Sequence, residues 1–196
     1  MIAILSETGL VGAIGGGLVF AEAGLAKLRH RAIVRGVIAN YRILPDILIA
    51  PVAVTLPWIE LSLGLGLIVS GIVGGALSWL ALPAAALLIG FALAMAINIR
   101  RGRSHVDCGC GRSQLRQTLH PALVLRNLVL AGLIALHVTT PGPADAIAVI
   151  LALVAGACLF GLFALFNALC ALALGPLTPA RLTPANSRYH HHAGRS

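Results

Sequence analysis

The chain has 196 residues, of which 59% are hydrophobic and only 10% are charged, and its formal net charge is +8. An average soluble domain has about 25% charged residues, so this composition excludes a soluble globular domain and favours an integral membrane protein. The basic residues lie beside apolar runs, where they contact lipid headgroups and fix orientation. They therefore do not indicate a nucleic-acid-binding protein.

Five apolar runs are long enough to cross a hydrocarbon core of about 30 Å, which takes about 20 helical residues. In chain order they are Leu10–Leu28, Ile47–Ile72, Ala76–Ile99, Pro121–Val138 and Ala146–Leu174. No basic segment precedes the first run, so we expect a retained helix and not a cleaved signal peptide. The expected fold is an all-α polytopic transmembrane bundle of about five spans, forming one domain over residues 1–176 with a flexible tail over residues 177–196.

Glycine is abundant, with 22 residues, and some of it recurs at a spacing of four. Gly12 with Gly16 and Gly71 with Gly75 are two such pairs. This spacing is typical of membrane helices that pack closely against a neighbour. We expect both pairs to lie at helix contacts.

Positive charge is concentrated in alternate connections between the runs. Four arginines lie between runs one and two and five between runs three and four, whereas the other two connections have no Lys or Arg. Cytoplasmic loops carry the excess of Lys and Arg. The chain is therefore expected to have its N-terminus outside and its C-terminus inside, which puts the loop over residues 100–120 on the cytoplasmic side.

That loop contains two cysteines one residue apart, Cys108 and Cys110. Gly109 provides the bend that brings their Cα atoms within the roughly 4.4–6.8 Å that a disulfide requires. So small a ring is strained, which makes the disulfide easy to reduce, and the neighbouring arginines favour the reactive thiolate. We predict Cys108 and Cys110 to be the catalytic pair of a thiol–disulfide reaction; if the chain is an enzyme, it is a membrane thiol–disulfide oxidoreductase.

Other readings of the loop remain open. Soft Cu(I) tolerates a Cys-x-Cys pair, whereas zinc sites usually have two to four residues between paired cysteines. A copper- or mercury-type membrane transporter or metallochaperone would use ligands drawn from His105, Cys108, Cys110 and His120. The two thiols could also be inert in a non-catalytic assembly factor.

The other two cysteines, Cys158 and Cys170, lie in the last run. They are separated by about 18 Å along a helix, which is too far for a disulfide between them. Cys170 lies near the predicted cytoplasmic end, where the loop can approach it. It is therefore a candidate resolving thiol.

Ionisable groups inside a membrane span are costly and are usually paired or functional. Counted from the cytoplasmic ends of the runs at about 1.5 Å per residue, Glu22 lies about 9 Å deep and Arg126 about 7–8 Å. Asn167 lies at a similar level. We expect Glu22, Arg126 and either Asn127 or Asn167 to form a polar cluster beneath the cysteine loop, where a Glu22–Arg126 pair would join the first and fourth helices.

Four further polar residues are expected elsewhere. Lys27 lies near the interface, which its long side chain can reach. Glu60 is about 20 Å deep by the same count, too far to reach Glu22, so we expect it in a small cavity or protonated against a neighbouring helix. His30 and His137 lie at the ends of runs and are expected to mark the interfaces.

Several blocks of the sequence, taken in order, resemble those of DoxX-like membrane proteins and of the branch represented by the methylamine utilization protein MauE family. They are Phe20–Leu28, Tyr41–Pro45, Leu56–Leu61 followed by Gly64, Cys108–Gly111 and Arg126-Asn127. The resemblance covers roughly residues 10–135 and implies a four-helix core plus one C-terminal span. One departure is that Gly111 follows the second cysteine, where the family often has an aromatic residue.

The resemblance also implies a function. MauE-like proteins are inner-membrane proteins needed to mature the disulfide-rich β (small) subunit of methylamine dehydrogenase, acting with a periplasmic thioredoxin-like partner. DoxX-like relatives are associated with quinone-linked complexes, which makes a quinone the candidate cofactor.

The client is periplasmic, whereas the charges place the cysteines in the cytoplasm. A relay across the membrane is the favoured resolution; a re-entrant loop and an inverted topology are the other two.

Overall fold

The computed structural model describes residues 2–103, 118–139 and 145–174, and this part of the chain contains helices and no β-strand. Six α-helices follow one another: α1 (Ile2–Arg29), α2 (Arg31–Tyr41), α3 (Asp46–Val73), α4 (Ala81–Arg100), α5 (Pro121–Ala135) and α6 (Ala146–Leu174). Short 3₁₀ turns over Gly75–Leu80 and Leu136–Thr139 precede α4 and follow α5. The tail over residues 177–196 lies outside the described residues.

Five helical segments are long and apolar enough to cross a membrane. They are Leu5–Arg29, Asp46–Val73, Gly75–Arg100, Pro121–Thr139 and Ala146–Ala173. The prediction of an all-α bundle with about five spans is confirmed. The predicted runs match because length and apolar composition are properties of the sequence that need no tertiary contact.

The basic segment between the first two spans, expected as a loop, forms the short helix α2. Val34 on one face is buried, whereas Arg31 and Arg35 are exposed, so the helix is amphipathic. It ends where Arg42 adopts a left-handed conformation with φ 47°, and Pro45 is the N-cap residue that precedes α3. An isolated helix of 11 residues is marginal in water, and α2 is held by packing against α3.

Helix α1 is the centre of the bundle and contacts α3, α5 and α6. Its glycines are divided among these neighbours. Gly12 and Gly16 face α5, Gly15 faces Gly156 of α6, and Gly17 faces α3. Each glycine removes a side chain where another helix backbone or side chain comes close, so one helix packs against three partners.

The contact between α1 and α3 fixes how far one helix is shifted along the other. A Cβ atom at Gly24 would lie 2.7 Å from the Pro57 carbonyl oxygen, and one at Gly64 would lie 2.6 Å from the Ala21 nitrogen. These are closer than real Cβ atoms approach, so both positions require glycine. This register places the segment between Pro57 and Gly64 opposite the segment between Ala21 and Gly24.

The two glycines of the second predicted pair, Gly71 and Gly75, have different roles in the structure. Gly71 packs against Ile14, where a Cβ atom would lie 2.9 Å from Ile14 Cγ1. Gly75 has no atom within 4 Å of such a position and has φ 67°, as part of the turn that follows α3. The expectation that Gly75 lies at a helix contact is therefore wrong, because the helix ends before it.

His137 is fully buried, so the expectation that it marks an interface is wrong. It lies in the 3₁₀ turn after α5, where its Nε2 is 2.6 Å from the Oγ of the equally buried Ser70. Gly9 of α1 approaches the His137 backbone so closely that a Cβ atom would lie 2.7 Å from its nitrogen. His30, by contrast, is exposed just after α1.

The glycine contacts predict that two Gly→Ala variants change the free energy of unfolding in different directions. In Gly12→Ala the new methyl group meets the backbone of Leu133 and Ile134, so we expect the free energy of unfolding to fall by about 1–3 kcal/mol. Gly132→Ala meets nothing within 4 Å, so we expect a change between zero and a gain of about 1 kcal/mol. Thermal unfolding of both purified variants in the same detergent measures the difference, and equal shifts would contradict it.

Candidate functional site

Cys108, Cys110 and His105 lie outside the described residues, whereas both ends of their loop are described. The outgoing end is fixed to the region where α2 ends. Arg103 Nη2 donates to the Asn40 carbonyl oxygen at 2.7 Å, and Arg101 Nη1 donates to that of Arg42 at 3.2 Å. The Arg103 backbone N–H donates to the Asn98 carbonyl oxygen at 2.9 Å.

The returning end of the loop is held by apolar packing and by a helix cap. Leu119 is buried in a cluster with Met95 and Leu123. His120 Nδ1 accepts from the Ala122 backbone N–H at 3.3 Å and so caps α5. Of the four ligands in the metal hypothesis, His120 is the one the structure describes, and it has this capping role.

Cys170 packs against the same apolar cluster of Met95, Leu119 and Leu123. It is half-buried, whereas Cys158 is exposed on the lipid-facing side of α6. Both are unbridged thiols. The structure thus places the candidate resolving thiol at the foot of the cysteine loop.

A cavity of about 160 Å³ lies among α1, α3, α4, α5 and α6. Its wall contains six intramembrane polar residues that the sequence analysis singled out. These six are Glu22, Lys27, Glu60, Arg126, Asn127 and Asn167. The interface position expected for Lys27 is wrong, because Lys27 lines the cavity. Glu60 faces a cavity, as one of its two expected positions had it, but this is the site that holds Glu22 and Arg126 and not a separate one.

Lys27 and Glu60 form an ion pair across the wall of this cavity. Lys27 Nζ lies 2.8 Å from both carboxylate oxygens of Glu60. The side chain of Glu60 is 1% exposed and that of Lys27 is 14% exposed. Lys27 therefore extends into the bundle and not out to the interface, and its ammonium also lies 5.9 Å from the centre of the Phe91 ring.

The shift between α1 and α3 explains why the depth count failed. The count assumed that the cytoplasmic ends of both runs, Leu28 in the first and Ile47 in the second, lie at the same depth in the membrane. The close contacts of Gly24 and Gly64 instead bring Glu60 level with the Ala21–Gly24 segment. From there the long side chain of Lys27 reaches back to the carboxylate.

Arg126 holds two amides together on the other side of the cavity. Its Nε and Nη2 donate to Asn127 Oδ1 at 3.1 Å and 2.8 Å, and its Nη1 donates to Asn167 Oδ1. The guanidinium carbon lies 4.5 Å from the centre of the Phe163 ring. Both amides thus join the site; the expectation named Asn127 and Asn167 as alternatives.

Sequence analysis missed the aromatic part of this wall. Phe20, Phe91 and Phe163 come from three helices and line the cavity beside the charged groups. A Phe inside an apolar run gives no sign of facing a cavity, since Phe is common in any membrane span. The flat, apolar surface next to a charged rim is a property of the fold alone.

The Lys27–Glu60 pair predicts that the effects of substituting these two residues on the free energy of unfolding are not additive. Lys27→Met leaves the Glu60 carboxylate buried without its partner, which typically costs about 3–5 kcal/mol. Lys27→Met with Glu60→Gln removes both charges, so we expect it to be more stable than Lys27→Met alone. Thermal and denaturant unfolding in detergent measure the stability of the unmodified chain, the two single variants and the double variant, which together form a double-mutant cycle. Arg35→Met, at an exposed position, serves as the control and should be neutral; a double variant no more stable than Lys27→Met would contradict the coupling.

The chain is similar to proteins of one family along most of its length. The family model described as methylamine utilisation protein MauE matches residues 5–140. The methylamine utilization protein MauE of Paracoccus denitrificans is 47% identical over 127 residues, which is 65% of this chain and 66% of the relative. That of Methylophilus methylotrophus is 44% identical over 117 residues, covering 59% of this chain and 60% of the relative.

A third relative extends the comparison, the methylamine utilization protein MauE of Methylorubrum extorquens, which is 38% identical over 123 residues. The matched region spans between 59% and 66% of the length of these three relatives. No solved structure is significantly similar to the chain. The family model covers the first four spans, the loop and every cavity residue outside α6, and the chain belongs to the methylamine utilisation protein MauE family.

Proposed function

We propose that the chain serves methylamine utilisation by assisting maturation of the small β subunit of methylamine dehydrogenase, through thiol–disulfide exchange at Cys108 and Cys110. Membership of the MauE family supports the pathway. The chemistry is supported by one observation: a Cys-Gly-Cys sequence lies in a loop whose two ends are fixed to the bundle. Both flanks of the segment that contains the two thiols are thus attached to the bundle.

The fixed ends limit how far the thiols can travel. Cys108 lies five residues beyond Arg103, which is the anchored outgoing end. Five extended residues span at most about 16–18 Å. This reach limits Cys108 to partners at the end of the bundle where Arg103 is anchored.

The proposed exchange is a two-electron reaction in two steps. A thiolate of the client attacks the Cys108–Cys110 disulfide and forms a mixed disulfide. A second client thiolate attacks it, which leaves the client with a disulfide and the chain with two thiols. The disulfide of a thioredoxin-like partner then takes the two electrons, so that Cys108–Cys110 is restored and the partner becomes a dithiol.

Cys170 is the proposed resolving thiol. It packs against the cluster that contains Leu119, the residue at the returning end of the loop. From there its thiolate would attack the mixed disulfide that Cys108 or Cys110 forms with the thioredoxin-like partner, which joins Cys170 to that cysteine and releases the partner as a dithiol; exchange with the remaining loop thiol then restores Cys108–Cys110 and frees Cys170. Arg126 and the ion pair of Lys27 with Glu60 have a supporting role, since they hold α1, α3, α5 and α6 around the end of the bundle that presents the loop.

The redox pair predicts a titration that depends on particular thiols. The purified chain should show a two-electron couple for the Cys108–Cys110 pair, and the double variant Cys108→Ser with Cys170→Ser should abolish it because Cys110 then has neither proposed disulfide partner. Cys158→Ser, which changes an exposed thiol in α6, should keep the couple. Titration against glutathione buffers with mass-spectrometric counting of free thiols measures both. In cells, Cys108→Ser should prevent growth on methylamine, with the small subunit lacking disulfides.

Three outcomes of that experiment would count against the proposal. Stoichiometric Cu(I) that a chelator removes, with no redox couple, would favour a soft-metal transporter or metallochaperone. Normal growth of Cys108→Ser cells would favour a non-catalytic assembly factor. An unchanged rate of mixed-disulfide release in Cys170→Ser would remove Cys170 from the mechanism.

The proposed orientation has the N-terminus outside, the C-terminus inside and the cysteine loop in the cytoplasm, as the arginine-rich connections favour. We expect a membrane-impermeant maleimide to leave Cys108 unlabelled in intact cells and to label it in inverted vesicles. Ala76→Cys, at an exposed position beside the uncharged turn, and Arg35→Cys, at an exposed position of α2, would mark the two faces. Rapid labelling of Cys108 in intact cells would reverse the orientation and place the pair next to its periplasmic client.

A further inference from the structure

The corner where α1 meets α2 carries positive charge that no nearby negative charge balances. Four exposed arginines lie between the first two spans: Arg29, Arg31, Arg35 and Arg42. The one carboxylate in this connection is that of Asp46, in the first turn of α3. Among the residues that the structure describes, none forms an ion pair or a hydrogen bond with the guanidinium group of Arg29 or of Arg35.

Three of these arginines lie close together, and we call Arg29, Arg31 and Arg35 the basic corner. Arg31 Nε donates to the Leu28 carbonyl oxygen at 3.2 Å, which holds its side chain where the two helices meet. Arg31 and Arg35 are four residues apart in α2, so they share one face of the helix and repel each other. An anion beside them would remove this repulsion from a helix that is short enough to be marginal.

The other side of α2 is apolar and lies at the edge of the bilayer. Val34 is buried, Ile33 is 52% exposed, and Ile47 at the start of α3 is 83% exposed. Arg29 is the last residue of the first spanning segment, and α2 begins two residues later. A helix with a basic face and an apolar edge in this position lies among the lipid headgroups.

Charge and apolar surface together select the occupant of the basic corner. A zwitterionic headgroup has no net charge, whereas an anionic headgroup attracts each nearby arginine with a gain of about fivefold in affinity. A soluble acidic peptide matches the arginines but leaves Ile33 in water, whereas the acyl chain of a lipid covers it. Positive charge that only orients a chain needs no such arrangement on one helix face.

We propose that the basic corner is a binding site for an anionic phospholipid, with the phosphate beside Arg29, Arg31 and Arg35 and an acyl chain against Ile33. Binding stabilises α2, because a ligand that prefers the ordered helix shifts the equilibrium towards it. No thiol takes part. The site is therefore independent of the chemistry proposed for Cys108 and Cys110.

Two measurements on the full chain in lipid nanodiscs test the site. Native mass spectrometry counts the lipids that remain bound, and hydrogen exchange of the α2 amides reports the stability of the helix. With phosphatidylglycerol as a minor component of phosphatidylcholine discs, we expect phosphatidylglycerol to be retained preferentially and α2 to exchange more slowly than in pure phosphatidylcholine. High salt should weaken both effects, because the attraction is screened.

Paired variants separate the corner from net charge. Arg31→Gln with Arg35→Gln should lower the affinity for phosphatidylglycerol by about 20-fold, and its α2 should exchange alike in both kinds of disc. In pure phosphatidylcholine this variant should exchange at least as slowly as the unmodified chain, which shows that α2 still folds. Arg31→Lys with Arg35→Lys keeps the charges and should keep the lipid. Arg188→Gln with Arg195→Gln removes the same charge from the C-terminal sequence and should also keep it.

Four results would overturn the proposal. They are equal retention of the two phospholipids by the unmodified chain, an equal loss in the C-terminal variant, and slowing of α2 exchange in phosphatidylcholine discs by soluble glycerol phosphate or by an acidic peptide to the extent that phosphatidylglycerol produces. Cys108→Ser should retain phosphatidylglycerol as the unmodified chain does. Failure of the redox proposal is thereby distinguished from failure of the lipid site.

Discussion

The close approach of α1 to its neighbours is the constraint on which the rest of the structure depends. Lipid tails are as apolar as leucine, so no hydrophobic force drives these helices together and van der Waals contact must do so. Glycines on different faces of α1 permit that contact with α3, α5 and α6. Because backbone meets backbone, the register between helices is fixed within about one residue, and the polar side chains are placed as a result.

The polar groups at the two ends of the bundle differ in kind. Towards the thiol loop, charged and amide side chains surround a cavity of about 160 Å³. Towards the other end, Ser70 and His137 meet with no exposed surface at all. A pair so enclosed joins α3 to the turn after α5 and supports the helices, whereas the cavity has room for chemistry or a ligand. The molecule thus concentrates its functional potential on one side.

Sequence reasoning recovered what depends on local composition and missed what depends on register. The five spans follow from apolar length, and the gathering of Glu22, Arg126 and Asn127 follows from their similar depth. The pairing of Lys27 with Glu60 was missed because depth had been counted from run ends that do not lie level. The burial of His137 was missed because the chain turns back onto α1 only through its contact with Gly9. The roles of Cys108 and Cys110 stay predictions.

The attachment of the thiol loop has a mechanical consequence. Arg101 and Arg103 donate to the backbone carbonyls of Arg42 and Asn40, which lie at the end of α2 and at the start of the connection to α3. The base of the loop therefore rests on a short amphipathic helix and not only on the rigid spans. Any partner or lipid that tilts α2 pulls directly on the segment leading to the cysteines, so docking at that helix and the reach of the thiols are coupled through two arginine side chains.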